Sequence, residues 1–390
     1  MEKLIKLKKG EEKRILSGHL WVFSNEIKEI QGNPQVGDIV NLYKYTGEFI
    51  GKGFYNPNSL IIFRLLTLHD EDIDFNFFKK KIENALGLRK KIFPNSNTYR
   101  VVNGESDFLP GLIIDKYDKH LVIQTYSYGM DCRLTLICNV LESLFNPNGI
   151  IQRDESQLRK LEGLTNKSKL LSGNYDKPII SLHEIDYQVD LIGGQKTGLF
   201  LDQRENHFVI RRYAKDTKVL DCFCNDGGFS LNAAIAGCKS VVAVDLSESA
   251  INRAKKNTEI NKLNDKINFV IEDVFKFLKI KIDENEKFDL VILDPPSFTK
   301  TKKNVPTAKK GYIEINMGAL MMINSGGFLA TASCSHHIDD TTFLELINKS
   351  AYLANKIIRL LEWKSASPDH PILPSMPETK YLKFGIFEVS

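Results

Sequence analysis

Residues 219–230 read VLDCFCNDGGFS, an apolar run that ends at an acid and is followed by a turn with two glycines. Four more short apolar runs come after it: KSVVAVDL (239–246), INFVIED (267–273), FDLVILD (288–294) and GGFLATAS (326–333). Segments with helical spacing, such as SESAINRAKKNTEINKL (247–263), separate the runs. Short buried strands that alternate with crossover helices predict an α/β fold, with a parallel sheet and helices on both of its faces.

The end of the chain departs from this alternation. IIRLLEWKS (357–365) and YLKFGIFEV (381–389) both look like strands, and no helical segment lies between them. Two such strands predict a hairpin that places one antiparallel strand in the parallel sheet. An antiparallel last strand is unusual for a dinucleotide-binding fold.

Two other blocks precede the α/β region. Residues 1–72 combine β-branched and aromatic runs with frequent Gly, Asn and Pro, which predicts a small β-barrel or sandwich. Residues 73–178 open with a helical pattern, FNFFKKKIENALGLRKKIF (75–93), and then return to strands, which predicts a small α+β domain. The predicted domains are therefore 1–72, 73–178 and 179–390.

The composition is that of a globular protein, with 42% hydrophobic and 26% charged residues among 390. No apolar run approaches the roughly 20 residues that span a bilayer, and the charged N-terminus lacks the apolar core of a secretory signal. The six cysteines have no framework spacing, so reduced thiols in a cytoplasmic protein are expected. The net charge is only +4, but the basic N-terminus and the loop TKTKKNVPTAKKG (299–311), with five lysines and no acid, favour a polyanionic partner.

Acids stand at the ends of the first four predicted strands of the α/β region: Asp221, Asp245, Asp273 and Asp294. In open α/β sheets the ligand binds at the carboxyl ends of the strands, and an acid on the second strand suits ribose hydroxyls. A full G-x-G-x-x-G motif is absent, and Asp221 and Asp226 flank the turn where a pyrophosphate would lie. Acids there repel a pyrophosphate and suit a cationic sulfonium, so S-adenosylmethionine fits better than NAD. The alternative for any single acid is a helix cap or a turn.

Several longer motifs point to a known family. They are GGQKTGLFLDQREN (193–206), VLDCFCNDGGFS (219–230), VILDPPSF (291–298), KKGYIEINMGAL (309–320), ASCSHH (332–337) and PDHPILPSMPETKYLKF (368–384). With these motifs in this order, the chain resembles the class I S-adenosylmethionine-dependent methyltransferases of large-subunit rRNA that carry an N-terminal PUA domain and make 5-methylcytosine. KKGEEKRILSGHLWVFSNEI (8–27) is similar to that PUA domain, and DFLPGL (107–112) to the middle domain of the family. Asn225 and Asp226 stand where the family usually has an aromatic residue and a threonine, and His336 and Phe108 each replace a usual glycine.

The resemblance, together with the basic loop, implies a set of site residues and partners. Catalysis is assigned to Cys334 and Asp294. The residues expected to bind S-adenosylmethionine are Phe200, Asp202, Gln203, Arg204, Asp221, Phe223, Asn225, Gly227, Asp245, Leu246, Ser247, Asp273, Val274 and Asp294. The residues expected to contact RNA or the target base are Pro295, Pro296, Phe298, Lys300, Lys302, Lys303 and Tyr312. The expected partner is rRNA, either 23S rRNA or a large-subunit assembly particle; no metal and no membrane are expected, and a homodimer is left open.

Cys334, in ATASCSHHIDD (330–340), admits three interpretations: nucleophile, metal ligand or small core residue. A metal site would lack a second cluster of ligands, and the flanking Ser333 and Ser335 argue against a core role. Cytosine C5 is too weak a nucleophile to take a methyl group directly, so a thiolate must first add to C6. A neighbouring cation or a protonated imidazole would help form that thiolate, and His336 and His337 are close in sequence. Adjacent residues on an extended segment point opposite ways, so at most one of the two is expected to face the site. The other cysteines are interpreted as structural: Cys132, Cys138, Cys222, Cys224 and Cys238.

Asp294, in the segment DPPSF, is expected to bond the N3/N4 edge of a flipped cytosine, and Phe298 to stack on the base or pack beneath it. The predicted function is therefore an RNA cytosine-C5 methyltransferase. The alternatives are a uracil-C5 or base-nitrogen RNA methyltransferase on the same scaffold, a non-catalytic RNA-binding assembly factor and, last, a nicotinamide oxidoreductase. The base that removes the C5 proton is left open between Asp294, a histidine and water.

Overall fold

The computed structural model describes residues 2–194, 196–299 and 301–390. The chain divides into two compact units, each assembled from separate segments. The first unit comprises Met1–Ile180, Val189–Leu201 and Pro368–Thr379, and the second comprises Ser181–Gln188, Asp202–Ser367 and Lys380–Ser390. Within the described ranges, no helix is long and apolar enough to cross a membrane.

The N-terminal part of the first unit is a six-stranded sheet with one short helix. Its elements are β1 (Leu4–Leu7), α1 (Glu12–Leu16), β2 (Trp21–Phe23), β3 (Ile27–Gln31), β4 (Ile39–Tyr43), β5 (Phe49–Tyr55) and β6 (Ile61–Thr67). The strand order is β2-β6-β5-β4-β1-β3, with β1 and β4 parallel and the other neighbours antiparallel. Ile5 and Leu7 alternate with less buried residues along β1 and pack into a core with Phe63, the pattern of a strand with one buried face.

The rest of the first unit is an α+β block. Its elements are α2 (Phe75–Ile92), β7 (Thr98–Asn103), β8 (Leu112–Tyr117), β9 (His120–Thr125), α3 (Tyr128–Asp131), α4 (Leu134–Phe145), β10 (Gly149–Asp154) and β11 (Lys167–Gly173). The five strands form one sheet in the order β11-β10-β9-β8-β7. Asp74 begins α2 by accepting a hydrogen bond from the Phe77 amide at 2.9 Å, and the helix buries Phe78 and Ile82 against the sheet core. The boundaries predicted for the first two domains stay a prediction.

The second unit contains most of the predicted α/β region, and a hairpin precedes it. The hairpin is β12 (Ile179–Leu182) and β13 (Ile185–Gln188). The elements that follow are α5 (Arg204–Val209), α6 (Arg211–Ala214), β14 (Lys218–Cys222), α7 (Gly228–Ile235), β15 (Ser240–Asp245), α8 (Glu248–Ile260), β16 (Ile267–Ile271), α9 (Val274–Asp283), β17 (Phe288–Leu293), α10 (Val305–Met322), β18 (Ile323–Ser333), α11 (Asp340–Leu353), β19 (Ile358–Lys364) and β20 (Lys383–Val389).

The seven-stranded sheet of this unit has the order β16-β15-β14-β17-β18-β20-β19. The first five strands in that order are parallel, and β20 runs antiparallel to both β18 and β19. The predicted α/β fold with an antiparallel last strand is therefore confirmed. The central strands β14 and β17 bury nearly every side chain, because helices cover both faces of a parallel sheet.

Candidate active site

The turn after β14 brings Asp221 to the carboxyl end of the central strand. The side chain is fully buried, and its Oδ2 accepts hydrogen bonds from the amide and the hydroxyl of Ser230, at 3.0 and 2.6 Å. Among the described residues its other oxygen, Oδ1, has no hydrogen-bond partner. A buried acceptor left in this state is costly and indicates a missing ligand or solvent contact.

Burial, with a smaller contribution from the neighbouring charges of Asp294 and Asp245, raises the pKa of the Asp221 carboxyl to about 7. Three carboxyl groups from three adjacent strands therefore share one region, and a positive charge would relieve both the burial and the mutual repulsion. S-adenosylmethionine carries such charges on its sulfonium and its ammonium group. The residues present at the carboxyl edge fit this cofactor.

Asp226 does not add to this cluster as an uncompensated charge. Its Oδ1 accepts a hydrogen bond of 2.6 Å from Nε of Arg253, a residue of α8, and Asn257 donates to its backbone carbonyl at 3.1 Å. The expectation that Asp226 would repel a pyrophosphate therefore needs correction, because an arginine balances that carboxylate. Asn225 has a positive φ of 45°, a conformation that asparagine tolerates better than most residues.

The tip of β15 presents Asp245 together with an exposed leucine. The Asp245 carboxylate accepts hydrogen bonds from the Asn225 amide at 3.0 Å and from the Ser247 amide at 2.8 Å, which fixes its orientation. Each oxygen retains a lone pair that could accept a ribose hydroxyl. Leu246 is 68% exposed, so it offers an apolar surface beside the carboxylate. Ser247 is the N-cap of α8.

At the third strand the predicted acid serves as a helix cap. Asp273 precedes α9, and its Oδ1 accepts a 3.0 Å hydrogen bond from the Lys276 amide. Its neighbour Val274 is buried in the core. Capping alone accounts for an aspartate at this position, so the assignment of Asp273 and Val274 to the cofactor stays a prediction.

Two glycines allow the turn before α7. Gly227 has a φ of +85°, which L-residues other than glycine rarely adopt. A Cβ atom on Gly228 would overlap the imidazole ring of His207. His207 is half-buried, and desolvation lowers the pKa of its imidazole to about 4, so the ring beside this turn is neutral at pH 7. Phe223 enters the same turn with a φ of +64°.

The segment before α5 reaches the same edge of the sheet. Gln203 is 2% exposed, donates a 2.9 Å hydrogen bond to Asp294 Oδ1 and accepts one of 2.7 Å from Asn206. Asp202 accepts a 2.7 Å hydrogen bond from the Tyr381 hydroxyl. Arg204 is buried with its Nε 3.5 Å from the Glu205 carboxylate. Phe200 belongs to the first unit, where the ammonium of Lys196 lies 4.1 Å from its ring centroid.

The DPPSF loop follows β17. Pro295 is buried and Pro296 is exposed, while the half-buried ring of Phe298 lies 4.7 Å from that of Tyr312 and 6.0 Å from that of Phe275. These contacts pack Phe298 within the protein, and its predicted role toward the base stays a prediction. Tyr312, expected to contact RNA, has a fully buried side chain.

Cys334 follows directly after β18, at the edge that also holds Asp294. The residue is half-buried, and its thiol lies 3.9 Å from the carbonyl oxygen of Pro295 in the DPPSF loop. The two serines beside it are completely buried. The strand order places β18 next to β17, so the cysteine and the loop meet because their strands are neighbours.

A chain of hydroxyl groups connects these two segments. The Tyr312 hydroxyl is 2.9 Å from the hydroxyls of both Ser333 and Ser335. Ser335 is in turn 3.1 Å from the hydroxyl of Ser297, in the DPPSF loop. Sequence reasoning missed this network, because its members are common polar residues that are distant from one another in the chain. The network fixes both residues that flank Cys334.

The other cysteines differ from Cys334 in their surroundings. Burial raises the pKa of the Cys222 and Cys224 thiols well above the usual value, and it raises that of Cys138 to about 11. Cys238 is also buried, and only Cys132 among the six is exposed. Thiols that resist ionisation are poor nucleophiles, which supports a structural role for the buried ones.

Two histidines and a lysine follow Cys334 in the chain and differ in their exposure. His336 and His337 are exposed, and the His336 ring packs at 5.6 Å from that of Tyr381. The buried cation in this region is Lys383, at the start of β20, with 3% of its surface exposed. Sequence reasoning missed it, although a lysine inside the apolar run YLKFGIF was a usable signal.

The basic loop is at the surface. Lys302 and Lys303 begin a 3-10 turn, Lys302–Asn304, that leads into α10, and both are exposed. Lys300 lies outside the described residues. The predicted contacts between these lysines and RNA stay a prediction.

Comparison with known proteins identifies the family. Residues 5–68 match a PUA-like domain, and residues 167–376 match an S-adenosylmethionine-dependent methyltransferase. The ribosomal RNA large subunit methyltransferase I of Tolumonas auensis is 37% identical over 390 residues, covering 98% of each chain, and that of an Enterobacter species is 36% identical over 383 residues, covering 97% of each. The crystal structure of the methyltransferase SMU.776, in complex with SAH, has the same fold, with a TM-score of 0.86, 21% identity and full coverage of both chains.

The matches agree with the geometry of the second unit, where a parallel sheet with an antiparallel strand gathers carboxylates at one edge. The relatives cover nearly the whole chain, so the resemblance extends to both units. The chain belongs to the ribosomal RNA large subunit methyltransferase I family of S-adenosylmethionine-dependent enzymes.

Proposed function

We propose that this enzyme makes 5-methylcytosine in large-subunit rRNA, with Cys334 as the nucleophile. The observation that carries the proposal is the position of a half-buried thiol at the end of β18, next to the loop that follows Asp294. A half-buried thiol can meet a base that has been rotated out of its stack. The names of the relatives support rRNA as the substrate class.

The roles of the residues follow from cytosine chemistry. The Cys334 thiolate adds to C6, and the electron pair displaced from the C5–C6 bond makes C5 nucleophilic. Asp294, which accepts a hydrogen bond from Gln203, would bond the N3/N4 edge of the base and share a proton with N3 during the addition. S-adenosylmethionine supplies the methyl group, and Asp221 and Asp245 would hold its cationic and ribose portions.

The alternatives differ in what they require of the thiol. A methyltransferase that acts on a base nitrogen uses an Asp-Pro-Pro-aromatic turn but needs no covalent adduct. A uracil-C5 enzyme needs the thiol but not the same contacts to N3 and N4. Hydrogen bonds connect the serines beside Cys334 to the DPPSF loop. This arrangement suits a reaction in which the thiol and Asp294 act on the same base.

The partner is part of the proposal. The PUA-like N-terminal region, predicted as residues 1–72, would bind RNA beside the target nucleotide, either on 23S rRNA or on a large-subunit assembly particle. The middle domain, 73–178, and the catalytic domain, 179–390, complete the proposed division. Whether two chains associate is tested by sedimentation of the purified protein with and without RNA.

The test is a covalent trap. When 5-fluorocytosine replaces the target cytosine, loss of the C5 substituent is blocked, and we expect a methylated RNA–protein adduct that survives denaturing electrophoresis. Cys334→Ala should abolish both the adduct and turnover, while calorimetry shows nearly unchanged affinity for S-adenosylmethionine. Cys224→Ala is the matched control, because its buried thiol should matter for stability and not for the adduct. Methylation by Cys334→Ala at a comparable rate would instead favour a base-nitrogen methyltransferase.

A further inference from the structure

Lys383 is a buried lysine beside the proposed nucleophile. It begins β20 and pairs in register with Ser333 of β18, the residue before Cys334. Only 3% of its surface is exposed. A lysine is almost never buried unless its charge is used or compensated.

The ammonium group is held by backbone carbonyls. Nζ donates hydrogen bonds to the carbonyl oxygen of Ser335 at 2.8 Å and to that of Tyr381 at 2.7 Å. Ser335 follows Cys334, so the lysine is anchored to the segment that carries the thiol. Two carbonyl dipoles orient the group, but they do not supply a full negative charge.

The charges that act on Lys383 come from three segments: the end of β18, the start of α11 and the residues before β20. Burial lowers the pKa of Lys383 to about 8, while the Cys334 thiolate, Asp340 and Asp339 act in the opposite direction and Lys380 adds to the lowering. Asp340 is itself engaged by Lys380 at 2.6 Å and by the Trp363 indole at 2.9 Å. Cys334 and Lys380 are each next in sequence to a residue whose carbonyl holds the ammonium, and of these two only Cys334 can become an anion.

We propose that Lys383 is a positioning residue that keeps Cys334 ionised, with its ammonium stabilising the thiolate before addition to C6 and after release. The proposal rests on the proposed function and adds a residue to it. The thiol loses its proton to solvent, which leaves a thiolate beside the ammonium. The sulfur electron pair forms the S–C6 bond, and when that bond breaks the pair returns to sulfur beside the same ammonium.

The lysine differs from the two histidines in its exposure, and the role predicted for the histidines stays a prediction. His336 and His337 are exposed, so water screens any charge that they carry. Lys383 lies inside the protein, where a charge interaction is stronger. The arrangement also fixes the thiol geometrically, because the lysine holds the carbonyl of the residue that follows it.

The first experiment measures thiol ionisation without RNA. Wild type, Lys383→Met and Lys383→Arg are alkylated with iodoacetamide from pH 6 to 10, and the modified peptides are quantified by mass spectrometry. We expect Lys383→Met to move the midpoint for Cys334 upward by about one pH unit or more, and Lys383→Arg to stay near wild type. The exposed Cys132 is the internal control and should titrate identically in all three proteins.

A second measurement covers the case in which Lys383→Met does not fold. Protein labelled with carbon-13 at the lysine Cε is titrated by NMR, as wild type and as Cys334→Ala, and the Lys383 signal is assigned with Lys383→Arg. Loss of the thiolate should lower the pKa of Lys383, because the coupling between two charges is mutual. An unchanged Cys334 midpoint in Lys383→Met, or an unchanged Lys383 titration in Cys334→Ala, overturns the inference.

The two proposals fail separately. If the Cys334 midpoint does not depend on Lys383 while wild type forms the 5-fluorocytosine adduct normally, only the role of Lys383 is overturned. If the Cys334 midpoint does depend on Lys383 but no adduct forms, only the cytosine-C5 reaction is overturned, because the alkylation experiment involves no RNA.

Discussion

At the scale of single residues, the acidity of Asp221 connects burial to cofactor binding. Its carboxyl has a pKa raised from 3.8 to about 7 by burial. Between these values the folded protein holds a proton that the unfolded chain has lost, so this group's contribution to stability falls as pH rises from about 4 to about 7. A cation bound beside the carboxylate favours its ionised form, so S-adenosylmethionine binding should release the proton over the same pH range.

We therefore expect the affinity for S-adenosylmethionine to rise between pH 5 and 7, by up to about tenfold per pH unit if one full proton is released. Calorimetry in buffers of different ionisation enthalpy measures the affinity and the proton release together. Asp221→Asn should bind more weakly and lose the pH dependence. Asp226→Asn is the matched control. It should keep the pH dependence of the affinity, because Arg253 already balances the Asp226 carboxylate. A flat affinity in wild type across this range would contradict the assignment.

At the scale of elements, α10 ties the ends of β17 and β18 together. The Tyr312 hydroxyl lies between Ser333 and Ser335, and burial raises its pKa to about 12, so it stays protonated and able to donate. Removing the hydroxyl leaves buried serine oxygens with one partner fewer. The segment that carries Cys334 then loses its fixed distance from the DPPSF loop.

Tyr312→Phe should lower the free energy of unfolding by about 1–3 kcal/mol, the usual cost of leaving buried polar groups unpaired. It should also reduce kcat by about 10- to 100-fold, because small displacements of reacting groups slow the chemical step strongly. The affinity for S-adenosylmethionine should stay unchanged. Urea denaturation and single-turnover methylation measure the two effects. Tyr213→Phe is the matched control: it breaks a 2.7 Å hydrogen bond to Glu362 in the same unit and should cost stability without lowering kcat. Equal kcat in both variants would show that the hydroxyl network is only structural.

The elements also show what the sequence could predict. Strands β14 to β18 were readable because each is a continuous apolar run, and the final hairpin because no helical pattern separates its strands. Strand β11, KSKLLSG, was missed because it is an exposed edge strand with little apolar signal. The site was readable where chemistry lies at a strand end, as with Asp221 and Cys334. It was not readable where it depends on contacts distant in the chain, such as Arg253 with Asp226 or Lys383 with Ser335.

At the scale of the whole molecule, exposed lysines occur on both units. Near the N-terminus Lys3 and Arg14 are held by Asp38 and Glu26, so the exposed Lys8, Lys9 and Lys13 are the better candidates for RNA phosphates. In the second unit the corresponding residues are Lys302 and Lys303. Deleting residues 1–72 is a poor test, because Arg64 pairs with Glu162 and the Trp21 indole bonds Glu105 inside the first unit, so the deletion would unfold what remains.

Substitution by glutamine is the sharper test. Lys302→Gln with Lys303→Gln should weaken RNA binding and reduce the slope of log K against log salt by about 0.7 to 0.9 for each phosphate that the protein no longer neutralises. The triple glutamine variant of Lys8, Lys9 and Lys13 should also weaken RNA binding and reduce the slope. The reductions in binding free energy should add, because, within the part of the chain that the structure describes, none of these five lysines shares an ion-pair partner with another. Lys255→Gln with Lys256→Gln, on α8, removes equal charge from the second unit as the control for Lys302 and Lys303. If the control reduces the slope as much, RNA responds to net charge rather than to these patches; if only one patch matters, RNA contacts only one unit.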